Sequence, residues 1–159
     1  MLKDLSADIL LHLEKHPAFR DAKTVLLYHS MKDEVYTHSF IDKWTDSKQI
    51  VLPVVVGDTL EIRRYEGIDS MKPGPYGILE PIGTVLDNYS SIDLVVVPGV
   101  AFDREKNRLG HGKGYYDKIL PQLAAYKIGI CFPFQLVEKV PADSFDVKMD
   151  AIIVGASEI

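Results

Sequence analysis

Apolar residues recur at helical spacing along the first stretch of the chain, with polar residues between them. This pattern predicts an amphipathic helix with one buried face, and the residues that carry it are Leu2, Leu5, Ile9, Leu10 and Leu13. Pro17 should end the helix, because proline lacks the backbone N–H that a helix interior needs. Residues 37–44 and 114–123 also have helical spacing, although Pro121 must end or kink the second of these segments.

Short continuous apolar runs predict strands that are buried on both faces. Four such runs cover residues 24–28, 93–97, 126–131 and 151–154, and we expect the last of them to be the final strand. Residues 49–56 and 60–65 flank the turn residues Gly57 and Asp58, which predicts a hairpin. Residues 67–83 are rich in glycine and proline and are predicted to form a loop.

Strands that alternate with helices predict an α/β fold, with a largely parallel central sheet and helices on both of its faces. The chain has 159 residues, of which 47% are apolar, so residues 1–159 are expected to form a single three-layer domain. The net charge of −5 argues against sequence-independent nucleic-acid binding, which needs a positive field.

Cysteine content and hydropathy indicate where the protein works. Cys131 is the only cysteine, so no intramolecular disulfide can form, and it lies in an apolar run typical of a core thiol. No apolar stretch is long enough to cross a bilayer, and the first residues lack a signal-peptide pattern. We expect a cytoplasmic monomer or small homo-oligomer with no membrane or nucleic-acid partner.

The segment with the most chemical content is residues 95–120, in which a buried strand is followed by a loop, three alternating glycines and a helix. Gly110, Gly112 and Gly114 allow positive φ, so that backbone N–H groups can turn towards an anion. Arg108, His111 and Lys113 add side-chain donors, and ligands bind beyond the carboxyl ends of strands in open α/β sheets. The helix that follows contributes its positive N-terminal end.

The same residues have a simpler interpretation: a glycine-rich turn with solvated basic side chains, in which Asp117 caps the helix. Glycine spacing alone leaves the two interpretations evenly balanced, because the loop is neither a Walker A sequence nor a G-x-G-x-x-G fingerprint. Asp117 lies where a carboxylate is favoured at a helix start, and it could also hold a metal ion.

Residue identity goes beyond the spacing. RLGHGKGYYD at 108–117, preceded by PGVAFD at 98–103, resembles the signature of the 5-formyltetrahydrofolate cyclo-ligase (5,10-methenyltetrahydrofolate synthetase) family. Further segments resemble that family in order along almost the whole chain: YHSMKDEVYT at 28–37, VLPVV at 51–55, PYGILEP at 75–81, Gln135, and FDVKMD at 145–150. The resemblance implies ATP- and Mg²⁺-dependent conversion of 5-formyltetrahydrofolate, a reduced folate, to 5,10-methenyltetrahydrofolate.

The resemblance also implies roles for individual residues. The ATP-binding residues would be Arg108, Leu109, Gly110, His111, Gly112, Lys113, Gly114, Tyr115 and Tyr116, of which Arg108, Lys113 and Tyr115 would be catalytic. The folate would be contacted by His29, Glu34, Tyr76, His111, Gly112, Lys113, Gly114 and Tyr115. Asp117 and Asp146 would bind Mg²⁺, which prefers hard oxygen ligands.

The family usually begins with a basic helix that reaches the ATP phosphates, whereas residues 1–13 align better with its second helical segment. ATP binding is therefore expected to be weak. Two alternatives to the cyclo-ligase remain: a cyclo-ligase-like enzyme with another N-formyl or amide substrate, and a non-catalytic protein that binds folate or nucleotide. Residues taken singly also have bland interpretations, Glu34 as a solvated loop charge and Asp146 as a surface acid.

Overall fold

The computed structural model describes residues 2–74, 77, 79–141 and 146–159. The helices are α1 (Leu2–Lys15), α2 (Pro17–Asp21), α3 (His38–Trp44) and α4 (Tyr115–Ile119). Short 3₁₀ turns occupy Ile68–Ser70, Tyr89–Ser91, Leu120–Gln122 and Pro133–Gln135. The strands are β1 (Thr24–Leu26), β2 (Gln49–Val56), β3 (Thr59–Arg64), β4 (Met71–Pro73), β5 (Leu79–Pro81), β6 (Leu94–Val97), β7 (Ala101–Phe102), β8 (Arg108–Leu109), β9 (Tyr126–Cys131), β10 (Ala151–Val154) and β11 (Ser157–Glu158).

Seven strands form the central sheet, in the order β11-β10-β9-β6-β1-β2-β3. The five inner strands pair in parallel, whereas β3 and β11 are antiparallel to their neighbours at the two edges. The α/β fold with a largely parallel sheet, predicted from the sequence, is confirmed. The hairpin is confirmed as well, since β2 and β3 pair across the turn that contains Gly57.

Both faces of the sheet are buried, because the strand residues alternate between two apolar clusters. Leu94 and Val96 of β6 join α1, α2 and α3 on one face. Val95 and Val97 join α4 and the Leu120–Gln122 turn on the other face. Phe102 packs on this second face, directly over Gly129 of β9, where a Cβ atom would lie 2.5 Å from the Phe102 ring. The three-layer arrangement follows from this alternation.

Four sequence predictions need correction. Pro17 does not only end α1 but also starts α2, where proline is tolerated at the first helical position and the His16 ring accepts the Ala18 N–H. Residues 67–83 contain a 3₁₀ turn and the β4–β5 pair, because proline and glycine do not exclude a short exposed ribbon. The helix predicted over 114–123 is only five residues long, since it tightens into a 3₁₀ turn around Pro121. The final strand is β11.

The order of the strands creates a crevice at the carboxyl ends of the central strands β1 and β6. From β1 the chain continues to β2 on one side, and it later returns to the other side of β1 as β6. The segments that leave the carboxyl ends of β1 and β6 therefore diverge, which is where open α/β sheets bind ligands. Among the described residues, no helix is both long and apolar enough to cross a membrane.

Candidate active site

A cavity of about 310 Å³ opens at this divergence. Three parts of the chain form its wall: the segment after β1, the β2–β3 hairpin with β5, and the glycine-rich segment. The lining residues from the first and third parts are Tyr28, His29, Met31, Glu34, Pro98, Arg108, Gly110, His111, Gly112, Lys113, Gly114, Tyr115, Tyr116 and Asp117. The structure thus brings together His29, Glu34 and most of the glycine-rich segment, which lie far apart in sequence.

The glycines of this segment serve two different purposes. Gly112 and Gly114 have φ of +87° and +75°, in open surroundings, so it is backbone conformation that requires glycine there. Gly110 leaves space beside the guanidinium, because a Cβ atom would lie 3.1 Å from both terminal nitrogens of Arg108, which would have to shift slightly. Gly99 mainly gives room to Phe102, since a Cβ atom there would lie 2.9 Å from the Phe102 ring, with Cγ of Arg108 next at 3.3 Å.

Arg108 is the buried cation of the site, with a side chain only 6% exposed. Its Nε donates to the Pro98 carbonyl at 2.6 Å, and its guanidinium carbon lies 5.1 Å from the centre of the Tyr116 ring. Nη1 is 3.6 Å from Oδ1 of Asp117, a long ion pair with a carboxylate that is 60% exposed. Burial lowers the Arg108 pKa from its very high ordinary value, while Tyr116 and Asp117 oppose this shift. The cavity therefore carries a positive charge that its neighbours only partly compensate.

Glu34 faces this cation from the segment after β1. Its Oε1 accepts the Met31 N–H at 2.7 Å, which closes a tight turn and fixes the carboxyl group. Burial raises the pKa of Glu34, and the Met31 hydrogen bond and the neighbouring His111 and Arg108 side chains oppose the rise. Glu34 is not a freely solvated loop charge, so the bland interpretation of this residue is wrong.

His29 stacks on His38, with ring centres 3.6 Å apart and planes inclined by 15°. The pKa of His29 is lowered to about 4, mainly by burial and also by the neighbouring His38. The effect of His38 is larger than the opposing effect of Asp42. His29 is therefore neutral at physiological pH. It lines a second, wider groove of about 890 Å³ together with His38, Val100 and Phe134, and this groove joins the first cavity at His29, Met31, Glu34, Leu79 and His111.

The two adjacent tyrosines of the glycine-rich segment have different environments. Tyr116 packs against the apolar cluster of the second face, and burial raises its pKa strongly. Tyr115 is the first residue of α4 and lines the cavity. Asp117 also lines the cavity and is not the helix cap, since Gly114 occupies the N-cap position without any side-chain cap hydrogen bond.

Two of the predicted site residues that the structure describes, Leu109 and Asp146, do not line the cavity. Tyr76 lies outside the described residues. Asp146 is exposed and does not line the cavity that contains Asp117. Within the described part of the chain no three His, Cys, Asp or Glu side chains cluster as metal ligands. Such a cluster is not required for Mg²⁺, which is often held by one or two carboxylates together with waters and phosphate oxygens.

Sequence reasoning assigned no role to three polar residues around the site. Glu80 lines the cavity although it is only 4% exposed, and its Oε2 accepts the Val55 N–H at 2.8 Å. Gln135 bridges the ends of β6 and β9 by accepting the Phe132 N–H and donating to the Gly99 carbonyl. Asp103 is 1% exposed and organises the turn before Arg108. Glu80 and Asp103 lie inside the quoted motifs PYGILEP and PGVAFD, which was the available signal.

Comparison with known proteins gives one consistent result. The sequence model of the 5-formyltetrahydrofolate cyclo-ligase family matches residues 3–155. A probable 5-formyltetrahydrofolate cyclo-ligase of Schizosaccharomyces pombe is 34% identical over 157 residues, which cover 86% of this chain and 77% of the relative. The 5-formyltetrahydrofolate cyclo-ligase of Haemophilus influenzae is 35% identical over 146 residues, which cover 86% of this chain and 78% of the relative.

Solved structures agree with the sequence comparison. The NMR structure of Aquifex aeolicus 5,10-methenyltetrahydrofolate synthetase superposes with a TM-score of 0.87 at 34% identity, covering 98% of this chain and 80% of that one. A 5,10-methenyltetrahydrofolate synthetase from Mycoplasma pneumoniae gives a TM-score of 0.74 at 30% identity, covering 96% and 85%. The family resemblance inferred from the motifs is confirmed.

The state of His29 makes a prediction about acid stability. The unfolded chain binds a proton at His29 near pH 6.5, whereas the folded protein does so only near pH 4. Between these values the unfolded state holds more protons, so folding stability should fall as the pH is lowered through this window. We expect the His29 ring protons to titrate near pH 4 by NMR, and His29→Gln to reduce the loss of urea resistance between pH 6.5 and 4. A ring that titrates at its ordinary value would contradict this.

Proposed function

The chain belongs to the 5-formyltetrahydrofolate cyclo-ligase family, and on that premise we propose that it converts 5-formyltetrahydrofolate to 5,10-methenyltetrahydrofolate. The reaction consumes ATP with Mg²⁺ and releases ADP and phosphate. The observation that carries the proposal is that the glycine-rich segment and Glu34 form opposite parts of one cavity at the switch point of the sheet. A loop suited to phosphate and a candidate folate contact would then both lie within reach of one ligand pair.

The donor set of the cavity suits a polyphosphate. Arg108 supplies a buried guanidinium, while His111 and Lys113 line the same wall. The left-handed backbone at Gly112 and Gly114 allows consecutive N–H groups to converge on an anion. Asp117 offers a hard oxygen at the end of this loop for the Mg²⁺ that accompanies ATP.

Bound ATP would supply the phosphoryl group that turns the formyl oxygen into a leaving group, so that N10 can close the ring. The protein contributes positioning and charge stabilisation, which carry most of the rate in phosphoryl transfer. Arg108 and Lys113 stabilise the negative charge that moves through the reaction. Arg108 needs little reorganisation for this, because the hydrogen bond to the Pro98 carbonyl and the contact with the Tyr116 ring already hold its side chain.

The folate side of the cavity is formed by the segment after β1. One Glu34 oxygen is engaged by the Met31 N–H, and the carboxyl group is oriented to accept hydrogen bonds from the amino and ring N–H groups of the pterin. His29 is neutral and contributes a flat, half-buried surface beside it. We assign Tyr115 to both ligands, because it lies on the glycine-rich wall, and Tyr76 to the folate by family likeness.

A cuvette assay tests the proposal. The product absorbs in the near ultraviolet and the substrate does not, so absorbance should rise when the wild-type chain is mixed with 5-formyltetrahydrofolate, ATP and Mg²⁺. Omitting ATP, or chelating Mg²⁺, should abolish the rise. Calorimetric binding of folate or ATP without turnover would favour a non-catalytic binding protein. ADP release with another N-formyl or amide compound, but not with this folate, would favour the other enzyme.

Lys113→Ala tests the phosphate loop. Losing a charged hydrogen bond to phosphate costs about 1.5–3 kcal/mol, so kcat/KM for ATP should fall roughly 10- to 150-fold. The matched control is Lys118→Ala, since Lys118 lies five residues further along, on α4, and donates to the Asp58 carbonyl without lining the cavity. Initial rates at varied ATP give the answer. ATP kinetics that are unchanged in Lys113→Ala would remove Lys113 from the site.

We further propose that Asp117 and Asp146 bind one Mg²⁺. Asp117→Asn and Asp146→Asn should each raise the Mg²⁺ concentration that gives half-maximal rate, by about tenfold, and the double variant should cost less than the two effects combined. Asp58→Asn is the control, because Asp58 is an exposed carboxylate that forms an ion pair with Lys118 and does not line the cavity. A normal Mg²⁺ requirement in Asp146→Asn would return Asp146 to being a surface acid.

A further inference from the structure

One buried carboxylate organises the turn between β7 and β8. Asp103 Oδ1 accepts the backbone N–H groups of Glu105 and Asn107, both at 3.0 Å. Its Oδ2 accepts the Asn107 side-chain amide at 3.1 Å and the Val140 N–H at 2.9 Å. Burial by itself would raise the pKa of Asp103, but these hydrogen bonds lower it below its ordinary value. The carboxylate is therefore ionised and fully engaged.

This turn leads directly into the glycine-rich segment. Asn107, which is 7% exposed, immediately precedes Arg108, and the β7–β8 ribbon is extended by a 2.7 Å hydrogen bond from the Val100 N–H to the Leu109 carbonyl. Lys106 adopts a positive φ of 71°, a conformation that residues other than glycine rarely take. A strained turn persists only when its surroundings determine it, and the Asp103 hydrogen bonds do so here.

The same turn also anchors the C-terminal segment at two points. The Val140 N–H donates to Asp103, and the Met149 N–H donates to the Lys106 carbonyl at 2.9 Å. Asp146 lies between these two anchors in sequence. The five-residue turn from Asp103 to Asn107 thus continues directly into the glycine-rich segment. It is also hydrogen-bonded to Val140 and Met149, which lie before and after Asp146 in the chain. Asp103 itself lines neither of the two cavities.

We infer that Asp103 is a positioning residue, which holds the glycine-rich segment and the backbone at Val140 and Met149 in the arrangement that Mg²⁺–ATP requires. The inference rests on the proposed function, and it adds a residue that contacts neither ligand. It follows from the chemistry of the carboxylate: only an ionised acid can accept four hydrogen bonds from two segments at once, and an amide replaces two of those acceptor positions with donors.

Asp103→Asn is the test, with Asp93→Asn as its matched control. Asp93 also accepts two backbone N–H groups, from Lys23 and Thr24, but at the amino ends of β1 and β6, which is the opposite edge of the sheet. We expect Asp103→Asn to lower kcat/KM for Mg²⁺–ATP at least tenfold and to weaken ATP binding in calorimetry, with KM for the folate within twofold of wild type. Asp93→Asn should keep wild-type kinetics even if it melts earlier.

Hydrogen–deuterium exchange gives a readout that needs no activity. In Asp103→Asn the amides of Glu105, Asn107, Val140 and Met149 should all exchange faster, while those of β6 and β9 keep their protection. Faster exchange confined to Glu105 and Asn107, or unchanged ATP kinetics, would overturn the inference.

A second variant is available if Asp103→Asn does not fold. Asn107→Ala removes only one of the four hydrogen bonds to Asp103, and it should shift ATP kinetics and exchange in the same direction. No shift in Asn107→Ala would also overturn the inference. A wild-type chain without turnover would contradict the proposed function, while the exchange experiment would still decide the role of Asp103.

Discussion

The buried guanidinium of Arg108 is the constraint around which the site is arranged. A cation that is 6% exposed must be compensated, and the protein compensates it with the Pro98 carbonyl, the Tyr116 ring, the Asp117 carboxylate and the carboxyl group of Glu34. Asp117 is exposed and its ion pair is long, and burial raises the pKa of Glu34 and so disfavours its charged form. The arrangement leaves positive charge directed at the cavity, and a cavity of this kind favours an anionic ligand whose own charge completes the compensation.

The fold supplies what this cation needs. The cavity opens where the chain segments after β1 and β6 diverge. The two faces of the sheet are buried by separate apolar clusters. Because these clusters stabilise the fold, the loops at the carboxyl ends of the strands can carry binding and catalytic residues. Gly110 leaves room beside the terminal nitrogens of Arg108. Asp103 fixes the turn from which Arg108 departs, and Glu34 provides an acceptor on the opposite wall.

Much of this could be predicted from the sequence, for physical reasons that differ between elements. Long periodic or continuously apolar segments such as α1 and β9 were predictable because burial fixes their pattern. The short ribbons β4–β5 and β7–β8 were not, since they bury little and their pairing is set by tertiary contacts. Arg108, His111 and Lys113 were predictable by proximity in sequence. The engagement of Asp103 with Val140 was not, because it joins residues 37 positions apart.

The most direct test of this account is the turnover of 5-formyltetrahydrofolate by Arg108→Lys, compared with wild type at saturating ATP and Mg²⁺. Lysine keeps the charge but loses the planar fork that donates to Pro98 and lies on the Tyr116 ring. With the fold verified by circular dichroism, we expect the rate to fall by about 10²-fold or more, as when a preorganised charge-stabilising donor is removed. A folded Arg108→Lys variant that turns over within twofold of wild type would contradict the account.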